Sequence, residues 1–471
     1  MNNAPIVQET GIAGLLLVHL PVHEDARGWF KENWQRAKMV AAGLPDFRPV
    51  QNNVSFNRLA GTTRGIHAEP WDKYVAVVGG SVFGAWVDLR AGAGFGASFS
   101  ATLGPGQAVF VPRGVGNGFQ TLEPDTGYSY LVTEHWSEKA RSGYTFLNLA
   151  DPAAGIPWPI PLAKATVSDA DRTHPMLDAL TPVGPRKTLV LGANGQLGRA
   201  LAALAPADGS YEFATRGQVD ITDARQLAAL DLSGYRAVIN AAAYTQVDEA
   251  ETPAGRRAAW AANVTAVGQL AAACTQHGTT LVHLSSDYVF DGGKPGYTEE
   301  DAPCPLGVYG QTKAAGDAVV AQVPGHYLVR TSWVVGEGKN FVSTMARLAR
   351  AGVDPSVIDD QYGRLCFARD LAAGIVHLLD SQAPHGTYNL TNEGEAVSWA
   401  RIAAEVFAAL GHDPGRITAT STDAYRAGHP AMAPRPMHST LELAKLKATG
   451  FTPRDQFEAL ADYLDTYVPE A

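Results

Sequence analysis

The chain has 471 residues, 46% of them apolar and 18% charged. This predicts two or three folded domains and excludes disordered and fibrous classes. A net charge of −10 with no Lys/Arg run argues against a nucleic-acid partner, whose footprint is a basic patch; a few local arginines still suffice to hold a phosphate. The three cysteines, Cys274, Cys304 and Cys366, have neither metal-ligand spacing nor an even count. No metal site or disulfide framework is therefore expected, and a reducing cytoplasm is the expected location. The first apolar stretch, 12–20, is interrupted by Gly14 and His19 with no basic segment before it, which is not a signal-peptide pattern. No run approaches the ~18 apolar residues of a membrane span, so no membrane partner is expected.

Residues 1 to about 165 read as short strands, among them 74–78, 82–89 and 108–111, separated by glycine turns at Gly79-Gly80, Gly92 to Gly96 and Gly104-Pro105-Gly106. That texture predicts an all-β barrel or sandwich. Pro175, Pro182, Gly184 and Pro185 mark a linker at 178–186. From Lys187 the texture changes to strands at 188–191, 237–240 and 281–284, alternating with alanine-rich helices near 197–204 and 258–274. Alternation of this kind predicts βαβ units and a parallel sheet, a Rossmann-type α/β domain over 187–471 with its substrate-binding part mostly after 334.

Directly after the first of these strands comes Gly192-Ala193-Asn194-Gly195-Gln196-Leu197-Gly198. Glycines at this spacing permit a tight turn and close approach to a pyrophosphate, while the next helix presents free N–H groups to it. Eighteen residues beyond Gly198 stands Arg216, where an NAD site would carry an acid. An arginine there suits a 2′-phosphate, so NADPH is favoured over NADH; the alternative is a solvated surface arginine. Asp220 and Ile221 follow where the adenine edge would be contacted, and Ala241-Ala242 ends the next strand. Further on, Ser285-Ser286-Asp287 ends a strand, and Tyr309 and Lys313, four apart, share one helical face. A neighbouring ammonium lowers a phenol's pKa and so makes it a better proton donor, and a serine hydroxyl can bond a carbonyl being reduced.

These residues, with Asn240 to Thr245, Val247 to Glu251, Ser286 to Phe290, Arg330 to Trp333, Asp360 to Gly363, Arg435-Pro436 and Ser439, resemble the extended short-chain dehydrogenase/reductases, and more narrowly the dTDP-4-dehydrorhamnose reductases. The resemblance implies that Tyr309 donates the proton, Lys313 activates it and Ser286 holds the carbonyl. It also implies cofactor contacts from Gly192, Asn194, Gly195, Gln196, Leu197, Gly198, Arg216, Asp220, Ile221, Ala241 and Ala242, alongside Tyr309 and Lys313. Asp287, Trp333 and Arg435 would face the nucleotide sugar, with core packing the other reading of Trp333. Two departures stand out: Ser286 replaces the common threonine, and Arg364-Leu365-Cys366 replaces a proline-threonine pair. Mg²⁺ at a subunit contact, a feature of some relatives, is left open.

In the first half, Arg64 and His67 lie in Thr63-Arg64-Gly65-Ile66-His67. Around them stand Asp25, Arg27, Gly28, Phe30, Glu32, Gln51-Asn52-Asn53, Lys73, Asn117-Gly118-Phe119, Tyr130 and Ser168 to Asp171. This set resembles the dTDP-4-dehydrorhamnose 3,5-epimerases, metal-independent cupin-like jelly rolls that form dimers. The resemblance implies a homodimer with His67 as base, Asp171 (or Asp169) orienting it, Tyr130 as acid and Lys73 stabilising the enolate. Arg27, Glu32, Gln51, Asn53, Arg64 and Asn117 would surround the substrate, a dTDP-4-keto-6-deoxy sugar. Asn117 stands where that family has histidine, and Glu69 and Trp71 also depart from it. Asparagine cannot become cationic, which leaves open whether one carbon or two is inverted. The expected function is therefore 3,5-epimerisation followed by NADPH-dependent reduction in dTDP-L-rhamnose synthesis. The alternatives are a reductase whose first domain is inactive or acts at a single centre, making another deoxysugar, or a non-catalytic subunit that binds nucleotide sugars.

Overall fold

The computed structural model describes residues 4–466. It divides into two compact units, Met1–Pro185 and Arg186–Ala471.

The first unit is built on two antiparallel sheets. One has the order β1 (Ile6–Glu9), β2 (Leu16–His19), β10 (Gln107–Val111), β7 (Lys73–Gly79), β12 (Thr126–Val132), β5 (Gln51–Asn57). The other runs β13 (Thr145–Phe146), β6 (Thr63–Ala68), β11 (Val115–Thr121), β8 (Val82–Asp88), β9 (Ser98–Leu103). Strand side chains alternate between faces, and β7 uses both. Val75 and Val77 meet Trp86, Leu103, Val115 and Phe119 of the other sheet in the central core. Tyr74 and Ala76 face the opposite way, under Met39, Leu44 and Phe47. The outer face of the second sheet, with Ile66, Ala68, Val87 and Leu89, is covered by Leu147 and Leu149 and by Leu177, Leu180 and Val183. A separate hairpin pairs β3 (Val22–Asp25) with β4 (Gly28–Lys31).

That last cover changes the picture of the segment expected as a linker. Val183 bridges Arg90, and its N–H donates to Leu89 at 2.7 Å. Apolar side chains at 177, 180 and 183 pack this proline-marked stretch onto the first unit, so little of it is free chain.

The second unit carries a six-stranded parallel sheet, ordered β15 (Tyr211–Ala214), β14 (Lys187–Leu191), β16 (Tyr235–Asn240), β17 (Thr280–Ser286), β18 (His326–Thr331) and the strand Gly386–Asn389. Helices Gln196–Leu204 and Ala368–Asp380 cover one face and Ala266–His277 the other. A third core joins helices Phe341–Arg350, Trp399–Ala409 and Gln456–Thr466. The order reverses between β14 and β16, which opens a crevice at their carboxyl ends, the usual ligand position in such sheets. The stretch expected as one helix over 258–274 is instead Pro253–Trp260, a π-helical turn Ala261–Thr265, and Ala266–His277. Cys274 and Cys366 are buried, which pushes both thiols up to about 12, while Cys304 is exposed.

Candidate active sites

In the first unit the two sheets enclose a cavity of about 470 Å³. One sheet contributes Ser55, Lys73, Tyr128 and Tyr130, the other Arg64, His67, Asn117 and Phe119. His67 and Asn117 are cross-strand partners on β6 and β11. Ser168 caps the turn Asp169–Arg172 by accepting from the Asp171 N–H. This holds Asp171 buried against His67, whose Nε2 lies 2.9 Å from its carboxylate, whereas Asp169 is exposed. A carboxylate only accepts, so Nε2 carries the ring proton and Nδ1 keeps the lone pair. Burial raises the Asp171 pKa, but the bond and charge of His67 outweigh it and hold the carboxyl below its ordinary value.

Across the cavity, burial and then the Glu69 charge push the Tyr130 phenol above its ordinary value, so it stays protonated at neutral pH. Lys73 is buried with its ammonium 2.5 Å from Glu69. Asn117 accepts from the Tyr128 hydroxyl at 3.2 Å. Gln51 and Asn53 lie on the same face of β5 as Ser55, at half exposure, and bond each other. Arg27 and Glu32 do not join this group within the unit: Arg27 is exposed and paired with Asp25, and Glu32 with Lys38. The sequence reading gave no role to Glu69, which it noted only as a departure, or to His174, whose ring packs 5.6 Å from that of His67.

In the second unit the glycine loop lies at the β14/β16 crevice. Gly192 has φ +82°, and a Cβ there would sit 2.8 Å from the Ala242 nitrogen; one on Gly198 would sit 2.4 Å from the Gly192 carbonyl. The loop therefore seats its helix against the strand ends only with glycines at both places. Gly195 caps the helix Gln196–Leu204 without a side chain, so its first-turn N–H groups stay free for an anion. Asn194 and Gly195 are exposed, whereas the side chains of Leu197 and Ile221 are mostly buried in the core. Arg216 projects into solvent and pairs with Asp220 at 3.0 Å.

Ser286 ends β17 and donates to Asp287 at 2.7 Å, with the Tyr309 phenol close by. Burial lifts the Asp287 carboxyl to about 6. Tyr309 and Lys313 open the helix Val308–Val320. The Lys313 ammonium donates to the Leu284 carbonyl at 2.5 Å, and burial lowers it to about 8 against the opposing charge of Asp317. The expected lowering of the phenol by Lys313 is not found: burial and the Asp287 charge raise Tyr309 well above its ordinary value. Asn263, absent from the sequence reading, sits buried in the π-turn. It accepts from the Tyr244 N–H and donates to the Tyr244 carbonyl and to Thr312, beside Lys313. Arg435 pairs with Asp248 at 2.9 Å and contacts Tyr288, whose ring meets Tyr309 edge-on. Trp333 has φ +42°, is half-buried and stacks on Trp399 at 3.6 Å.

Residues 9–179 match the family model described as dTDP-4-dehydrorhamnose 3,5-epimerase, and residues 186–468 the RmlD substrate binding domain. A "Protein RmlC homolog" of Streptococcus pyogenes serotype M6 is 49% identical over 180 residues, 37% of this chain and 90% of its own length. The chain belongs to both families, one in each unit. The RmlD-family unit is also 39% identical over 285 residues to a dTDP-4-dehydrorhamnose reductase of Mycolicibacterium smegmatis, covering 59% of this chain and 84% of that protein. It further matches the crystal structure of a dTDP-4-dehydrorhamnose reductase from Bacillus anthracis in complex with NADP. That match has a TM-score of 0.55 and 31% identity, over 60% of this chain and all of the other. The epimerase-family unit thus holds the His67–Asp171 pair, and the RmlD-family unit the glycine loop with Ser286, Tyr309 and Lys313.

Proposed function

We propose that the chain performs two consecutive steps on dTDP-4-dehydro-6-deoxyglucose: epimerisation at carbons 3 and 5, then reduction of the 4-keto group by NADPH to give dTDP-L-rhamnose. The observation that carries this reading is a base pair, His67–Asp171, facing a protonated Tyr130 across one cavity, in a chain whose second unit presents Tyr309 and Lys313 beside a nucleotide-type glycine loop.

In the first step His67 Nδ1 removes the acidic proton next to the ketone, and the electron pair moves onto the carbonyl oxygen. Asp171 steadies the imidazolium so formed. Lys73 donates to the enolate oxygen. Tyr130, held on the opposite sheet, returns a proton from the other face and inverts the centre. Asn117 supports the oxygen side as a neutral donor only.

In the second step the nicotinamide, when bound, supplies hydride to the keto carbon. The chain's own part is to hold the pyrophosphate on the N–H groups after Gly195 and the 2′-phosphate on Arg216. Ser286 bonds the ketone, and Tyr309 delivers a proton to its oxygen, with Lys313 as the neighbouring cation. A pair of copies, each with its own sites, is part of the same reading and is measured by light scattering.

The test is to give the purified chain the 4-keto-6-deoxyglucose nucleotide with NADPH and identify the sugar formed. NADPH oxidation with dTDP-L-rhamnose as product is expected. In His67→Ala, oxidation should survive only with pre-epimerised substrate. A different sugar, or no oxidation with either substrate, overturns the reading.

A further inference from the structure

His174 lies three residues beyond Asp171, where the chain leaves the turn Asp169–Arg172. Its ring stacks on Phe146 at 4.7 Å and meets His67 edge-on. Its Nδ1 is buried with no hydrogen-bond partner among the described residues and lies 3.9 Å from the Asp171 carboxylate oxygen that also takes His67 Nε2 at 2.9 Å. Together the donor atoms of His67, Asp171 and His174 fall within 4.8 Å of one another. In a tetrahedral zinc site with bonds of roughly 2.0–2.1 Å, neighbouring donors stand about 3.3 Å apart, and the two distances to Asp171 straddle that value.

Two imidazole nitrogens and one carboxylate oxygen form a donor set for zinc-type ions and suit Mg²⁺ or Ca²⁺ poorly. The three side chains are held in advance: His67 on β6, Asp171 through the Ser168 cap, His174 by its stack on Phe146. His67 and Asp171 also line the cavity, so a fourth position is open to water. Nothing in the sequence spacing pointed here, because the first ligand is more than a hundred residues from the other two.

We propose that a divalent transition-metal ion of the zinc type binds to His67 Nε2, Asp171 and His174 Nδ1 and silences the epimerase site. Binding replaces the Nε2 proton, which leaves to solvent as the metal–nitrogen bond forms, and no electron is transferred. A neutral imidazole ligated at Nε2 carries its remaining proton on Nδ1, the nitrogen whose lone pair the base requires. This inhibitory consequence rests on the proposed function; the binding site itself does not.

The experiment titrates the full chain, freed of metal by a chelator, with Co²⁺ alone while recording visible absorption, and then displaces it with Zn²⁺. One Co²⁺ per chain with a tetrahedral-type spectrum is expected. The variants His174→Gln and Asp171→Asn, their folding checked by near-ultraviolet circular dichroism, should bind it more weakly by more than the roughly 10–100-fold cost of losing a supporting partner. Zn²⁺ should stop solvent-deuterium exchange into the keto sugar by the parent chain. Relative to its own zinc-free rate, His174→Gln should resist the same concentration, and NADPH oxidation of pre-epimerised substrate should not change. Equal Co²⁺ binding by parent and both variants, or no tetrahedral spectrum, overturns the site. His174-dependent binding to a chain that exchanges no deuterium even without metal upholds the site and overturns the catalytic reading.

Discussion

Tyr309 and Asp287 show how burial sets the chemistry of single groups. The phenol of Tyr309 is held well above its ordinary value, so at neutral pH it is a proton donor and not a base. Tyr309→Phe keeps the ring and removes the proton. It should lower NADPH oxidation by several orders of magnitude, with cofactor affinity, read by fluorescence titration, nearly unchanged. Asp287 is 2% exposed with its carboxyl at about 6. An acid raised in the folded state contributes stability that is fully present below its unfolded value near 4 and is lost as pH rises through about 6. Asp287→Asn should therefore gain on the parent chain between about pH 4 and 7, by up to roughly 2–3 kcal/mol, in denaturant titrations of the second unit; a pH-independent difference would contradict this assignment. Arg216 is exposed and, among the described residues, pairs with Asp220, and a charge-assisted bond to a 2′-phosphate contributes about 1.5–3 kcal/mol. Arg216→Asp should cut the NADPH:NADH ratio of kcat/KM by roughly ten- to hundredfold; an unchanged ratio would leave Arg216 a surface residue.

At the scale of elements, strands were legible because their alternation or apolar runs are local, and β7, β8, β10, β14, β16 and β17 fall within a few residues of the expected positions. Breaks set by distant partners were not legible. The π-turn at Ala261–Thr265 lies inside an alanine-rich run that reads as plain helix, because the extra residue is fixed by Asn263 reaching Tyr244 and Thr312. Asn263→Ala would leave half-buried backbone groups of Tyr244 without these partners. It should destabilise the second unit by about 1–3 kcal/mol, seen as a lower denaturation midpoint, and slow NADPH oxidation by displacing the helix that carries Lys313. The glycine loop was legible as a motif, since its close approaches belong to neighbours in sequence, Gly192 and Gly198. Ser286, Tyr309 and Lys313 were likewise recognisable from spacing, whereas Asp287, Trp333 and Arg435 entered only through a family resemblance, as did the joining of Lys73, Tyr130 and Asp171 to His67, since these come from separate strands and turns. Glu69 was visible only as a departure from the family, and His174 gave no signal, because its meaning lies in contacts with His67 and Phe146 across the fold.

Each half of the molecule buries its own set of cores, so residues 1–185 and 186–471 expressed separately should each retain its own reaction. Deuterium exchange by the first and NADPH oxidation of pre-epimerised substrate by the second would measure this, and loss of either on separation would show that it depends on the other. The segment expected as a linker does contain the boundary between the units, but its prolines and glycines gave no sign that apolar residues at 180 and 183, with Leu177 before them, would hold its first part on the first unit. The cysteines carry a practical consequence for the whole chain. With two thiols buried and raised to about 12, the thiolate that reacts with alkylating probes is scarce at both, leaving Cys304 as a selective attachment point. It sits five residues before Tyr309, so one maleimide fluorophore placed there would act as a built-in reporter of events at the reductase site without mutating the chain.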